Sequence, residues 1–174
     1  MPLAEILGPW HSLFSLAGSA SATLIGLLFV AAVVSSEYYR QDGRPGVHLF
    51  ISPSVVHFTT VLVACLVALA PLANQLLIAA LIGSDGSFGL LYATVVWRRM
   101  MRQGFFARMD WEDRIWYLAL PTVGYATMLA AGTSFVLELG IACGILAIAM
   151  VALLLVGIHN AWDITVWMIM RRRD

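Results

Sequence analysis

The chain of 174 residues is 61% hydrophobic and only 11% charged, and its mean hydropathy is +0.87. Soluble globular domains are about 45–50% apolar and about 25% charged, so the composition excludes an ordinary soluble protein. The formal net charge is zero, and no basic patch indicates a nucleic-acid partner.

Five apolar segments predict a five-helix transmembrane bundle, an all-α integral membrane protein with the lipid bilayer as its solvent. They cover about residues 12–36, 53–70, 73–97, 115–137 and 140–168. Several approach or exceed the ~18 apolar residues that mark a membrane span. We expect residues 1–174 to form a single transmembrane domain.

The first span, residues 12–36, follows a stretch without Lys or Arg, so we interpret it as retained and not as a cleaved signal peptide. Gly18, Ala22 and Gly26 recur in it at every fourth position. Small residues at this spacing let two helices approach closely. This stripe predicts packing either within the bundle or between the subunits of a homo-oligomer.

The second span begins at Pro53, a favoured first-turn residue, and Ser52 before it is the predicted N-cap. The third span is interrupted by the polar residues 84–87, which read Ser-Asp-Gly-Ser. A four-helix alternative treats these residues as a loop after one long helix over 53–82. The five-helix reading places a turn at residues 70–74 and Asp85 inside the third span.

Arginine placement favours five spans, because Lys and Arg concentrate on the cytoplasmic side of membrane proteins. With five spans all ten basic residues fall on one side, whereas four spans divide them. They are Arg40, Arg44, Arg98, Arg99, Arg102, Arg108, Arg114, Arg171, Arg172 and Arg173. Glu5 and Glu138 lie opposite. We therefore expect the N-terminus outside and the C-terminus inside.

Between the third and fourth spans, residues 98–109 alternate basic and apolar residues. This pattern is typical of a segment that lies on an anionic inner leaflet. Asp110 is the predicted cap of the fourth helix, with Asp113 three residues on.

Asp85 is the first candidate for chemistry, because an intramembrane acid usually faces a bundle interior or a water-filled cavity. The hydroxyls beside it and the helix-weakening glycine are typical of the discontinuous helices of transporters. Residues at similar depth in other spans are Thr23, Thr60, Tyr125 and Thr127. None of these carries a charge, so burial favours a neutral Asp85 carboxyl and proton handling over cation binding. The predicted ion or proton pathway comprises Asp85, Ser84, Ser87, Thr60 and Tyr125.

A second candidate is an inner-face cluster drawn from three helices. His159 and Asp163 share one helix face at a spacing of four, and His57 and Glu37 are expected at the same depth. The cluster comprises Glu37, His57, His159 and Asp163. It is a candidate proton relay or pH gate. Alternatives are a divalent-metal site formed by His57, His159 and Asp163, a bis-imidazole haem b, or a hydrogen-bonded cluster that closes the bundle.

The stretches "GSASATLIGLLFVAAV" and "NAWDITVW" resemble segments of small, uncharacterised multi-spanning membrane proteins of bacteria. In those proteins the first helix carries a small-residue run like the first stretch, and a segment like the second stretch closes the last helix. The resemblance implies a multi-pass protein of the bacterial inner (plasma) membrane, and it implies no activity and no functional residue.

These patterns predict a small ion or proton channel or transporter that forms a homo-oligomer. Asp85 is its mid-membrane site, and the inner-face cluster is its gate or relay. The alternative is a non-catalytic accessory subunit of a larger membrane complex, and a haem or metal-binding protein is third. No nucleotide-binding loop, metalloprotease motif or hydrolase motif occurs, so we expect no enzymatic activity and predict no cofactor.

Overall fold

The computed structural model describes residues 3–42, 47–72, 74–102 and 110–171, and all regular secondary structure within these ranges is helical. This confirms the predicted all-α class. The elements are α1 (Leu3–Leu7), a 3-10 turn (Gly8–Trp10), α2 (His11–Asp42), α3 (Val47–Leu69), α4 (Gln75–Arg102), α5 (Trp111–Arg114), a π-helical turn (Ile115–Ala119), α6 (Leu120–Val136) and α7 (Ala142–Arg171).

Four helical stretches are long and apolar enough to cross a membrane. They are Glu5–Val33, Gln75–Arg102, Trp111–Val136 and Ala142–Asp163. The apolar part of α3, Pro53–Leu69, is shorter, about 26 Å at ~1.5 Å per residue, against a hydrocarbon core of ~30 Å. The helices follow the five predicted segments, since apolar runs of this length determine where each helix can lie.

The polar residues 84–87 lie inside one uninterrupted helix, because α4 runs from Gln75 to Arg102. Residues 84–87 therefore do not form the loop that the four-helix alternative requires, and the expectation that they break the helix is wrong. The Ser84 hydroxyl donates to the carbonyl of Leu81 at 2.8 Å, and that of Ser87 donates to the carbonyl of Gly83 at 2.7 Å. Back-bonding of this kind satisfies the hydroxyls without disrupting the helix.

The chain turns between Leu69, the end of α3, and Gln75, the start of α4, in the predicted region. Asn74 caps α4, because its Oδ1 accepts hydrogen bonds from the backbone N–H groups of Leu76 at 2.9 Å and Leu77 at 3.3 Å. The Gln75 amide donates to the carbonyl of Phe135 at 2.8 Å. This bond ties the turn to the C-terminal end of α6.

Two predicted helix starts differ in detail. α3 begins at Val47, so Pro53 lies inside the helix and not in its first turn. Pro53 was a misleading local signal, since a helix can continue through proline with the loss of one backbone bond. Asp110 occupies the N-cap position of α5, but its side chain makes no capping hydrogen bond.

α4 and α6 pack with their backbones almost in contact. A Cβ atom on Gly86 would lie 2.7 Å from the backbone nitrogen of Leu129, and one on Gly132 would lie 2.8 Å from the Cα of Gly83. Positions rise along α4 as they fall along α6, so the two helices are antiparallel. Close approach through glycine is a usual way to pack apolar helices.

α7 packs between α6 and α3 and is antiparallel to both. A Cβ on Gly124 of α6 would meet the Leu153 side chain at 2.8 Å, and one on Gly157 would meet the Phe58 ring at 2.5 Å. Nearer the other end of the same seam, the Cys65 thiol contacts the sulfur of Met150 at 3.6 Å. Both cysteines are buried small side chains.

α2 lies at the edge of the bundle, against α3. Only Gly18 of the predicted small-residue stripe packs inside, where its Cβ would lie 3.1 Å from that of Cys65. Ala22 and Gly26 are exposed, and nothing lies within 4 Å of a Cβ on Gly26. The part of the stripe formed by Ala22 and Gly26 therefore does not pack against the residues that the structure describes.

The antiparallel arrangement gathers the described arginines at one end of the bundle, which we call the basic end. It contains the C-terminal ends of α2, α4 and α7 and the start of α5. The arginines there are Arg40, Arg98, Arg99, Arg102, Arg114 and Arg171. Glu5 and Glu138 lie at the other end. Arg44, Arg108, Arg172, Arg173 and most of the predicted interfacial segment 98–109 lie outside the described residues.

Candidate functional site

A hydrogen bond between Tyr125 and His57 lies at the centre of the bundle. The Tyr125 hydroxyl and the Nδ1 atom of His57 are 2.6 Å apart, and the two side chains are 0% and 3% exposed. Which atom donates depends on the tautomer of the imidazole. The bond therefore joins two proton-exchanging groups away from solvent.

Gly89 makes the position of the Tyr125 ring possible, because a Cβ at residue 89 would overlap that ring. Thr60, one turn beyond His57 on α3, is also buried and interacts through its side chain with the Tyr125 phenol. Three helices thus supply the walls of one polar site. We call His57, Thr60, Asp85 and Tyr125 the central polar group.

Asp85 belongs to this group through its position on α4, one helical turn before Gly89. Its carboxylate acts electrostatically on Tyr125. The Oδ2 atom is inaccessible to solvent, and no described residue forms a hydrogen bond with it. A buried carboxyl oxygen without a partner is costly, so this atom is available to a proton, a water molecule or an ion.

The other predicted pathway residues do not join the central polar group. Ser84 and Ser87 are exposed and bond to their own helix, since their positions on α4 point away from α6. Thr23 and Thr127 likewise donate to the carbonyls of Ser19 and Val123, at 2.9 and 2.8 Å. Of the uncharged candidates, only Thr60 and Tyr125 meet.

A second polar group lies at the basic end. The Nδ1 atom of His159 is 3.3 Å from Oδ2 of Asp163, as the spacing of four predicted. The His159 ring stacks on Trp116 with centroids 3.9 Å apart and planes 2° from parallel. Asp113 lies within electrostatic range of both His159 and Asp163. We call Asp113, His159 and Asp163 the basic-end group.

The predicted inner-face cluster is thus divided between two groups. His57 bonds to Tyr125, whereas His159 contacts Trp116 and Asp163. The side chain of Glu37 lies outside the described residues. Among the residues that the structure describes, no set of three or more His, Cys, Asp or Glu side chains is arranged to hold a metal ion. His57 and His159, the two imidazoles of the predicted haem site, lie in separate groups, each with a contact through its Nδ1 atom.

A small cavity of about 10 Å³ lies between the two polar groups. His57, Tyr92 and Tyr117 supply its polar lining. Its other lining residues are Pro53, Ala93, Val96, Leu118 and Pro121. The cavity thus borders the central polar group through His57, and Tyr117 on its wall lies within electrostatic range of Asp163 and Asp113.

Sequence reasoning did not identify Tyr92, Tyr117 or Trp116 as site residues. Tyr92 follows Asp85 by seven positions and so shares its helix face, which was a usable signal. The spacing of three from Gly83 to Gly86 and Gly89 also marked the packed face of α4. No sequence pattern identified the stacking of Trp116 on His159, because that contact joins distant parts of the chain.

Two further buried polar side chains, Ser54 on α3 and Asn160 on α7, were also missed. Both are 0% exposed, and neither makes a side-chain hydrogen bond to any residue in the described part of the chain. They lie at similar depth in the α3–α7 seam, one turn from the Phe58–Gly157 contact. Buried polar atoms without a protein partner commonly bind internal water.

No family model, curated protein or solved structure matches the chain. The functional argument therefore depends on the chemistry of the polar groups and on the distribution of apolar and charged residues.

Proposed function

We propose that the protein is a multi-pass protein of the bacterial inner membrane that conducts protons through the centre of its bundle. Four helices long and apolar enough to cross a membrane support the membrane assignment, with α3 as the fifth crossing. Large apolar side chains exposed on the outside of the bundle support it as well. They include Leu27, Phe29 and Val30 on α2, Phe88 and Leu91 on α4, and Ile148 and Leu155 on α7.

The observation that carries the proposal is the unpartnered Asp85 oxygen within electrostatic range of Tyr125, which is hydrogen bonded to His57. Each of the three side chains can accept and release a proton. Asp85 gives a proton to the phenol oxygen as the phenol gives its own proton to Nδ1 of His57, so the tyrosine is neutral before and after the step. Because no described residue bonds to Oδ2 of Asp85, a water molecule completes the link from Asp85 to the phenol, and charge then passes without an ion moving through the bundle.

The dimensions of the interior favour a proton over a larger ion. The cavity beside His57 measures about 10 Å³, which is about the space of a single water molecule. The larger groove of about 380 Å³ lies on the outer face of α7 and has an apolar lining, from Ala147 to Leu155. A hydrated cation needs several oxygen ligands, and neither space supplies them.

The basic end indicates how the bundle is oriented in the membrane. Because Lys and Arg accumulate on the cytoplasmic side, we place the basic end in the cytoplasm, with α1 and the α6–α7 turn outside. Asp85 and Tyr125 then lie within the membrane, and the basic-end group lies at its inner surface.

A second candidate function is that of a non-catalytic accessory subunit of a larger membrane complex. The observation that favours it is the outer face of α2, where Ala22 and Gly26 are exposed and leave room for a close helix. The same face would serve a homo-oligomer, in which proton conduction within each bundle still operates.

The test is proton flux into liposomes that contain the purified protein and no other, driven by a potassium-diffusion potential. Asp85→Asn keeps the size of the side chain and removes its ability to ionise. We expect flux to fall on the order of 10²-fold, as for loss of a proton-transfer group. Glu138→Gln is the matched control, because Glu138 is an exposed acid at the opposite end, and it should leave flux unchanged.

A cysteine in place of Asp85 tests whether residue 85 lies inside the membrane. Asp85→Cys in a background without Cys65 and Cys143 should label slowly with a membrane-impermeant thiol reagent added from either side. Fast labelling from one side, with full flux in Asp85→Asn, would overturn the proposal. Absence of flux in the unmodified protein would favour the accessory subunit.

A further inference from the structure

The cavity between α3, α4 and the π-helical turn has the composition of a water-binding site. Three side chains with polar atoms line it, namely His57, Tyr92 and Tyr117. A buried water molecule needs about 10–15 Å³ and two to four polar partners. The cavity of about 10 Å³ is close to that minimum, so it suits one water molecule and excludes larger ligands.

The backbone around the cavity supplies further acceptors. Pro53 and Pro121 both line it, and proline has no N–H to donate to the preceding helical turn. Pro121 directly follows the turn Ile115–Ala119, which has π-helical hydrogen bonding. A single π-helical turn inside a helix is frequently found at a functional site. Pro121 therefore leaves one carbonyl oxygen in the turn before it without the donor that another residue would supply.

The cavity also lies on the side of the central polar group that faces the basic end, as does the α3–α7 seam with Ser54 and Asn160. Tyr117 is within electrostatic range of Asp163 and Asp113. His57, on the cavity wall, is hydrogen bonded to Tyr125. Tyr117 and the cavity thus lie between the two polar groups and divide a route from one group to the other into shorter steps.

We propose that this cavity binds one water molecule, which joins His57 to Tyr117 and so connects the central polar group with Asp163 and Asp113 at the basic end. A proton taken up by His57 passes to the water molecule and from it to Tyr117. Tyr117 then delivers its own proton to an Asp163 or Asp113 carboxylate. The role in conduction rests on the proposed function, whereas the water site itself does not.

Two variants test the site. Ala93→Val adds two methyl groups at the cavity wall and leaves no room for water. Tyr117→Phe removes one oxygen and keeps the ring. Thr94→Val is the matched control, because Thr94 is exposed and its hydroxyl bonds to the carbonyl of Leu90.

The first readout is nuclear magnetic resonance of the protein with ¹⁵N-labelled imidazoles, in which a bound water shows cross-relaxation with the His57 ring. His57→Gln assigns the signal among the four histidines. We expect the water contact in the unmodified protein and in Thr94→Val, and its loss in Ala93→Val. Absence of the contact in the unmodified protein, or its persistence in a folded Ala93→Val protein, would overturn the water site.

The second readout is proton flux in liposomes. We expect Tyr117→Phe and Ala93→Val to lower flux on the order of 10²-fold, and Thr94→Val to leave it unchanged. If Asp85→Asn abolishes flux and Tyr117→Phe retains it, the proposed function stands and the route through Tyr117 is wrong. If the unmodified protein shows no flux, the proposed function fails, and the resonance experiment alone decides whether the cavity binds water.

Discussion

At the scale of single residues, the Tyr125–His57 bond is the contact on which the site most depends. Both partners are excluded from solvent, so neither can replace the other with bulk water. Loss of one partner leaves a buried polar atom unsatisfied, which costs about 1–3 kcal/mol. Stability and the proposed proton transfer therefore depend on the same pair of atoms.

Tyr125→Phe tests this dependence, because it removes the hydroxyl and keeps the ring against Gly89. We expect the free energy of unfolding to fall by about 1–3 kcal/mol, measured by thermal unfolding in detergent. Thr127→Val on the same helix is the control, since its hydroxyl bonds only to the carbonyl of Val123. Equal effects of the two variants would show that the Tyr125–His57 bond is not important for stability.

Asn74 and Asp110 allow a second prediction at this scale, because both precede a helix and only Asn74 makes capping hydrogen bonds. We expect Asn74→Ala to lower the free energy of unfolding by about 1 kcal/mol. Asp110→Ala should change the free energy of unfolding by only a few tenths of a kcal/mol. Thermal unfolding of both variants in the same detergent provides the comparison, and a larger loss in Asp110→Ala would contradict it.

At the scale of helices, glycine determines how closely α4 and α6 approach. Gly83 and Gly86 on α4 face Gly132 and the backbone at Leu129 on α6. This contact holds Asp85 and Tyr125 at fixed positions on facing helices. A side chain at Gly86 or Gly132 would separate the helices and widen the central polar group.

Gly132→Ala should therefore destabilise the protein by about 1–3 kcal/mol, as overpacking of a filled core does. It should also lower proton flux, since Asp85 moves away from Tyr125. Gly26→Ala is the control, because nothing lies within 4 Å of a Cβ there. Alanine favours helix by about 1 kcal/mol over glycine, so Gly26→Ala should match or exceed the unmodified protein in thermal unfolding.

If Gly26→Ala instead destabilises the protein as much as Gly132→Ala does, the exposed face of α2 packs against another helix in the preparation. The apparent mass of the two variants, measured by light scattering in detergent, then shows whether that helix comes from a second copy.

At the scale of the whole molecule, charge is separated along the bundle axis. The described arginines lie at one end, whereas the α6–α7 turn and α1 lie at the other with Glu138 and Glu5. Glu138 has a left-handed backbone with φ of 53°, so a tight turn joins α6 to α7. The arrangement predicts one orientation in the membrane.

Cysteine accessibility tests that orientation. In a background without Cys65 and Cys143, which are buried, Gly140→Cys should label with an impermeant thiol reagent added outside intact cells. Asp110→Cys should label only after the membrane is permeabilised. Both positions are exposed, so the two variants differ only in the end of the bundle that they report. Labelling of both from outside would contradict a bundle that crosses the membrane.

The sequence by itself determined the helical class, the bounds of most helices and the gathering of arginines at one end. These features depend on local composition and on apolar runs long enough to cross a bilayer. It also identified Asp85, Tyr125, Thr60, His57 and the His159–Asp163 pair, because polar residues in apolar helices are few. The misleading signals were local as well, since Pro53 and the residues 84–87 usually mark a helix start or a break.

Only the tertiary structure decided which of these residues meet. It joined His57 to Tyr125 instead of His159, stacked His159 on Trp116, and directed Ser84 and Ser87 away from Asp85. It also placed Tyr92 and Tyr117 around the cavity. The physical reason is that such contacts depend on how each helix is rotated and how deep it lies in the bundle. These two quantities are determined by the fit between α4 and α6, at Gly83, Gly86, Gly89 and Gly132. The residues next to each site in the chain do not determine them.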